Sequence, residues 1–221
     1  MKMTKNLFTT LALGAVVALG AAAFSSTALA GDKEKHADKP AKTEPLAKVG
    51  SAAPEFTLKD TEGKEVSLDQ FKGKIVVLEW YNSGCPFVVR HHKKYNTMTD
   101  TAKKFGDKVV WIAINSSAPG KEGHGLDVGS KKEWSIGYPI LNDETGKVGR
   151  LYGAKTTPHM FVIDAQGILR YAGAIDNDAK DEKSVGEKVN YVAQAVEEIL
   201  AGKTVSQAET KPYGCSVKYG S

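Results

Sequence analysis

The chain has 221 residues, with 30 Lys and Arg against 26 Asp and Glu, and only two cysteines. A net charge of +4 with the two signs interspersed describes a solvated surface and gives no case for a nucleic-acid partner. The cysteines form no Cys-x-x-Cys pair, which excludes a zinc ribbon and a local dithiol, and nothing in the sequence implies a cofactor or a bound metal.

In chain order, Lys2 and Lys5 precede an apolar run from Leu7 to Phe24, and Thr27-Ala28-Leu29-Ala30 puts small residues where a signal peptidase reads. This layout predicts a secretory signal peptide over residues 1–30, cleaved after Ala30, and a periplasmic address. A retained membrane anchor is the alternative; Thr9, Thr10, Gly14 and Gly20 interrupt the run and weigh against it, so no span is expected after cleavage. Cleavage removes two lysines and no acid, which lowers the net charge to about +2. Residues 31–48 are charged, contain Pro40 and Pro45, and read as a flexible leader. One domain is expected over 49–202, followed by a polar tail over 203–221.

Phe56 and Leu58, then Val66 and Leu68, alternate with polar residues about Gly63 and predict an N-terminal hairpin. A short turn element at Asp69–Gly73 leads into Ile75–Tyr81, an apolar β-rich run suited to a central strand covered on both faces. Asn82-Ser83-Gly84-Cys85-Pro86 follows, then a helix predicted from Pro86 to about Phe105, with Pro at its favoured first position. Val109–Ile114 is a second buried strand, and the strand–helix–strand order implies a parallel βαβ unit. Ser116–Ser130 is a Gly- and Ser-rich loop with room for function. A short helix at Lys131–Ile136, a strand at Tyr138–Asp143 and a helical turn at Lys147–Tyr152 come next. Met160–Asp164 and Ile168–Ala172 form a hairpin turning at Gly167. Val185 to Leu200 carries apolar residues at helical spacing, and Gly202 closes that helix.

The chemistry centres on Cys85. A cysteine at a helix start faces unpaired N–H groups and the positive end of the helix dipole, both of which favour the thiolate, the form that attacks peroxides and disulfides. An inert buried thiol is the alternative. Thr157-Pro158 precedes a strand and is a second candidate feature. Cys215 reads either as a resolving cysteine, closing a disulfide on an oxidised Cys85, or as half of a static staple worth roughly 2–4 kcal/mol. His91 and His92 follow Cys85; His92 shares its helix face about 10 Å along the axis, too far for contact. With His124 and His159 they match no metal-ligand spacing and are expected at the surface or behind the site.

Val49-Gly50-Ser51-Ala52-Ala53-Pro54-Glu55-Phe56-Thr57-Leu58, Cys85-Pro86-Phe87-Val88, Asp143-Glu144-Thr145-Gly146, Tyr152-Gly153-Ala154, Thr157-Pro158 and Phe161-Val162-Ile163-Asp164-Ala165-Gln166-Gly167, in that order, resemble the redoxins. More narrowly they resemble the peroxiredoxin-like branch of the AhpC/TSA superfamily, and the Lys-Pro-x-Gly-Cys around Cys215 resembles its tail. The resemblance implies an α/β, thioredoxin-like fold: a central mixed β-sheet flanked by helices, with a cis peptide at Thr157-Pro158. It implies a thiol oxidoreductase with Cys85 and Cys215 as catalytic residues and Asn82, Pro86, Thr157 and Pro158 at the substrate. Its partners would be a peroxide, or a protein thiol or disulfide, and an external thiol reductant. Two positions depart from the family. Asn82 stands where peroxiredoxins carry Thr or Ser, or related redoxins a first Cys, and Pro158 stands in place of an Arg. Arg90 or Arg150 could replace that Arg only if the fold brings one close. The rival function is a non-catalytic redoxin with a Cys85–Cys215 disulfide, binding a protein partner or a copper ion.

Overall fold

The structure, a computed structural model, describes residues 47–221; the expected signal peptide and the leader up to residue 46 lie outside the described residues. The strands are β1 (Thr57–Asp60), β2 (Glu65–Ser67), β3 (Ile75–Trp80), β4 (Val109–Asn115), β5 (Ile140–Asn142), β6 (Thr156–Thr157), β7 (Met160–Ile163), β8 (Leu169–Gly173) and β9 (Cys215–Ser216). The α-helices are α1 (Pro86–Val89), α2 (Thr97–Phe105), α3 (Asp127–Glu133), α4 (Lys147–Tyr152) and α5 (Tyr191–Leu200). Seven strands form one mixed sheet in the order β2-β1-β5-β4-β3-β7-β8, and β6 pairs with β9 in a separate two-stranded ribbon. β3, β4 and β5 run parallel, while β7 returns antiparallel to β3. The helices between β3 and β4 make the predicted crossover, and Thr157-Pro158 is cis. Among the described residues no helix is long and apolar enough to cross a membrane.

Strand parity builds two cores. Ile75, Val77 and Tyr81 pack on one face with Cys85, Val88 and Met98, while Val76, Leu78 and Trp80 pack on the other with Phe161 and Ile163. β3 is buried along its whole length, as its apolar run predicts. Parity also directs Glu79 toward the face under α1 and α2.

Four expectations need correction. The long helix after Cys85 is broken. α1 gives way to a π-helical turn over Arg90–Lys94, closed by Tyr95 N–H donating to Arg90 O at 3.1 Å. Asn96 then sits at φ 51°, a left-handed conformation that Asn tolerates and that stops the helix before α2 begins. The helix predicted from Val185 begins only at Tyr191. Val185 is 91% exposed in a single 3-10 turn, and Asn190 Oδ1 caps α5 by accepting from Ala193 N–H at 2.9 Å. The short helix expected at Lys131–Ile136 starts earlier, as α3. The polar tail is no loose end. Thr210 Oγ1 accepts from Ala174 N–H at 2.9 Å, and residues 215–216 form β9. Lys218 O accepts from Ala118 N–H at 2.9 Å, and Tyr219 O–H donates to Ala154 O at 2.9 Å.

Candidate active site

Cys85 lies just past the end of β3, in extended conformation (φ −80°, ψ 120°) as the N-cap of α1, with Pro86 at the first helical position. Asn82 sets the loop that delivers it. The Asn82 carbonyl accepts from Cys85 N–H at 3.0 Å and its Oδ1 accepts from Gly84 N–H at 2.8 Å. Its amide nitrogen donates to Ser117 Oγ at 3.1 Å and to Glu122 O at 3.0 Å. The buried Asn82 side chain is thereby committed to knitting the Cys85 loop to the Gly-rich loop after β4. That loop comes so close at Gly123 (φ +83°) that a Cβ there would stand 2.1 Å from Asn82 Oδ1.

The Cys85 thiol is 1% exposed and donates to the Thr157 carbonyl at 3.0 Å, so cis-Pro158 and its neighbour form the opposite wall. The Thr157 hydroxyl is buried with no partner among the described residues. β9 supplies the roof: Cys215 is registered opposite Thr157 across the β6–β9 pair and packs, partly buried, against the apolar cluster that holds Cys85. Both are free thiols. Burial, then the hydrogen bond and charge of Cys85, push the Cys215 thiol up to about 12, against the pull of Lys218. Of the arginines weighed as anion ligands, Arg90 donates to Ala179 O and Asp178 O, and Arg150 to Thr145 O and Gly220 O. Both guanidiniums turn onto backbone carbonyls, and Arg90 Nε is buried without a partner among the described residues.

The roof depends on Gly214. At φ +133° its backbone lies so near Thr157 that an added Cβ would stand 2.1 Å from the Thr157 carbonyl oxygen, the acceptor of the Cys85 thiol. Gly214→Ala is expected to lift β9 and raise the alkylation rate of Cys85 by N-ethylmaleimide at least ~10-fold, the exposure a shift of over about 1.4 kcal/mol produces. An unchanged rate would show that the tail does not cover the thiol.

Residues 49–172 match the AhpC/TSA family. The chain belongs to that family. Among its AhpC/TSA relatives, chloroplastic peroxiredoxin Q of Oryza sativa subsp. japonica is 32% identical over 146 residues, 62% of this chain and 63% of the rice protein. Chloroplastic peroxiredoxin Q of Suaeda salsa is 31% identical over 66% of this chain and 69% of its own. The chain thus spans a little under two thirds of the rice relative. An uncharacterized conserved protein of Geobacillus kaustophilus superposes with a TM-score of 0.66 at 25% identity, covering 78% of this chain and 93% of that one. A hypothetical protein of Sinorhizobium meliloti 1021 gives 0.65 at 25% identity, over 79% and 96%. A candidate protein disulfide isomerase of Bacteroides thetaiotaomicron shares the fold, with a TM-score of 0.55 at 20% identity over 71% of this chain and 92% of that one. The thioredoxin-like expectation holds. Cys85 and cis-Pro158 lie inside the AhpC/TSA match, whereas Cys215 and the tail lie beyond it.

Sequence reasoning placed His91 and His92 at the surface or in supporting roles, but both are buried. The extra residue of the π turn allows two consecutive side chains to point inward on different sides. His92 Nε2 meets Glu79 Oε1 at 2.8 Å, while His91 Nε2 meets the Tyr213 hydroxyl at 3.0 Å. His159 is buried against Phe161, and His124 pairs with Glu144. Among the described residues no group of three or more His, Cys, Asp or Glu is gathered to hold a metal ion.

Burial holds His91 down at about 4 and His159 at about 3, against the usual 6.5. Lowered folded-state values mean that both rings contribute stability above pH 6.5 and lose it as the pH falls toward 4, because only the unfolded chain takes up protons there. Asp127, pushed up to about 6 by burial, acts with the opposite sign over the same window. A net loss of roughly 3 kcal/mol is expected between pH 7.5 and pH 4.5 in urea titrations, and His159→Gln should flatten it. An unaltered slope in that variant would remove His159 from the account.

Proposed function

We propose that the chain is a periplasmic thiol-dependent oxidoreductase in which Cys85 is the attacking sulfur and Cys215 the resolving one. The observation that carries the reading is the Thr157–Cys215 register of the β6–β9 pair, which seats the second cysteine opposite the residue whose carbonyl accepts the Cys85 thiol, both cysteines being free. With a peroxide, the Cys85 thiol takes one oxygen and becomes a sulfenic acid, and the other oxygen leaves as water or an alcohol carrying the thiol proton. The Cys215 sulfur then displaces the sulfenic hydroxyl as water, and a Cys85–Cys215 disulfide forms. An external dithiol returns both thiols and leaves as its own disulfide. With a disulfide substrate the first product is a mixed disulfide on Cys85, and Cys215 releases the second substrate thiol. The 1% exposure of Cys85 favours the smaller oxidant, since a protein disulfide needs the tail to move aside. The signal-peptide layout of residues 1–30 supports the periplasmic address.

The test is one equivalent of hydrogen peroxide on the fully reduced protein, followed by non-reducing peptide mass spectrometry. A Cys85–Cys215 peptide pair forming within seconds to minutes, and opened by dithiothreitol, is the expected result. Two unmodified thiols after peroxide and after oxidised glutathione would overturn the proposal.

A further inference from the structure

The resolving cysteine has a holder that neither the family match nor the redox chemistry calls for. Tyr213, two residues before Cys215, lies on the half-buried stretch of tail entering β9. Its hydroxyl donates to Asp176 Oδ1 in the loop after β8, and lies 3.0 Å from His91 Nε2. His91 is anchored on its other side, its Nδ1 3.2 Å from the Thr97 hydroxyl, while its Nε2 also faces the Arg90 guanidinium at 3.4 Å. The Tyr213 ring packs on Phe87 (centroids 5.9 Å apart), with the Arg90 guanidinium 5.6 Å from its centre. Phe87, Arg90 and His91 belong to the helical segment that Cys85 begins. The tail is therefore tied to the same short segment as the nucleophile, and the next residue, Gly214, drops it against Thr157. The β6–β9 pair, two residues on each strand, offers little independent grip.

We infer that Tyr213 is the positioning residue of the resolving step: its hydroxyl, shared between Asp176 and His91, holds Gly214-Cys215 where the Cys215 sulfur meets Cys85. The inference rests on the thiol-oxidoreductase reading above. The Tyr213 hydroxyl transfers nothing; it keeps the attacking sulfur within reach, and loss of one buried, charge-assisted hydrogen bond lowers the fraction of tail in register about tenfold or more.

Tyr213→Phe keeps the ring and removes the hydroxyl. In rapid-quench experiments with peroxide, the first step at Cys85 is expected at the wild-type rate or faster. Disulfide closure should slow at least tenfold, so that a sulfenate trappable by dimedone accumulates. Asp176→Asn keeps an oxygen acceptor for the tyrosine and should close near the wild-type rate, whereas Asp176→Ala should behave like Tyr213→Phe. In a Cys215→Ser background, where no disulfide can close, Tyr213→Phe should add nothing further to sulfenate accumulation. Alkylation of Cys85 in the reduced protein, which involves no oxidant, should rise at least tenfold in Tyr213→Phe. A merely structural tyrosine would lower the unfolding midpoint without separating the two steps. Wild-type closure rates together with wild-type alkylation in Tyr213→Phe sink the role of Tyr213 and leave the redox reading intact. A wild-type protein that forms neither sulfenate nor disulfide overturns that reading, and the positioning role falls with it.

Discussion

Cys85→Ser is expected to leave the protein inert toward peroxides and disulfides, a loss of at least ~10³-fold, because a serine hydroxyl beside a backbone carbonyl has no activating base and remains protonated. Cys215→Ser is expected to behave differently. Its first step survives, Cys85 gains one oxygen, and with excess peroxide a second oxygen arrives because no neighbouring thiol intercepts the sulfenic acid. The asymmetry separates nucleophile from resolver and is read by intact-mass spectrometry over time. Equal inertness of the two variants would mean that the cysteines act as one structural pair. Continued closure of Cys85 onto Cys215 of another chain, seen as a covalent dimer in wild type, would move the resolving step between molecules. The distinction is particular to this chain, because Cys215 lies beyond the segment that matches the family.

The parts of the site that were legible in the sequence are those set by local rules. An apolar β-rich run followed by Cys85-Pro86 fixes a strand, a loop and a helix start within a dozen residues, and the structure follows it. Gly63 and Gly167 marked their turns correctly, because a positive φ is a local demand. The features that escaped are set by distant partners. Nothing local distinguishes buried from exposed in His91-His92; the decision lies with Glu79, Tyr213 and a π turn visible only as a break in phase. The tail reads as polar and short, yet Tyr219 docks where Gly146 and Gly149 leave no room for a Cβ, and Tyr213 docks on the segment carrying Cys85. One signal was available. Two tyrosines, Tyr213 and Tyr219, flank Cys215 in a stretch otherwise poor in large side chains, and aromatic residues rarely stay unpacked.

The largest stability effect is expected at Glu79, a residue no part of the proposed cycle uses. It lies fully buried on β3, its parity pointing it beneath the helices. Three donors from three separate segments converge on its carboxyl group: His92 Nε2 at 2.8 Å, Trp111 Nε1 at 3.0 Å and Tyr138 O–H at 3.1 Å. Glu79→Ala leaves all three without an acceptor and opens a cavity in the central strand. At about 1–3 kcal/mol for each orphaned donor, with incomplete additivity, a loss of about 4 kcal/mol is expected, a large share of the stability of a domain this size. Glu79→Gln retains one oxygen and should lose roughly half as much. Urea midpoints give the measurement. If Glu79→Ala unfolds within about 1 kcal/mol of wild type, water has replaced the carboxyl group and the cluster is not a dry one. The same experiment bears on the site, since His92 lies on the π turn next to His91. Loosening it should release His91 from Tyr213 and raise Cys85 alkylation, whereas a rate equal to wild type would show that the two histidines are held independently.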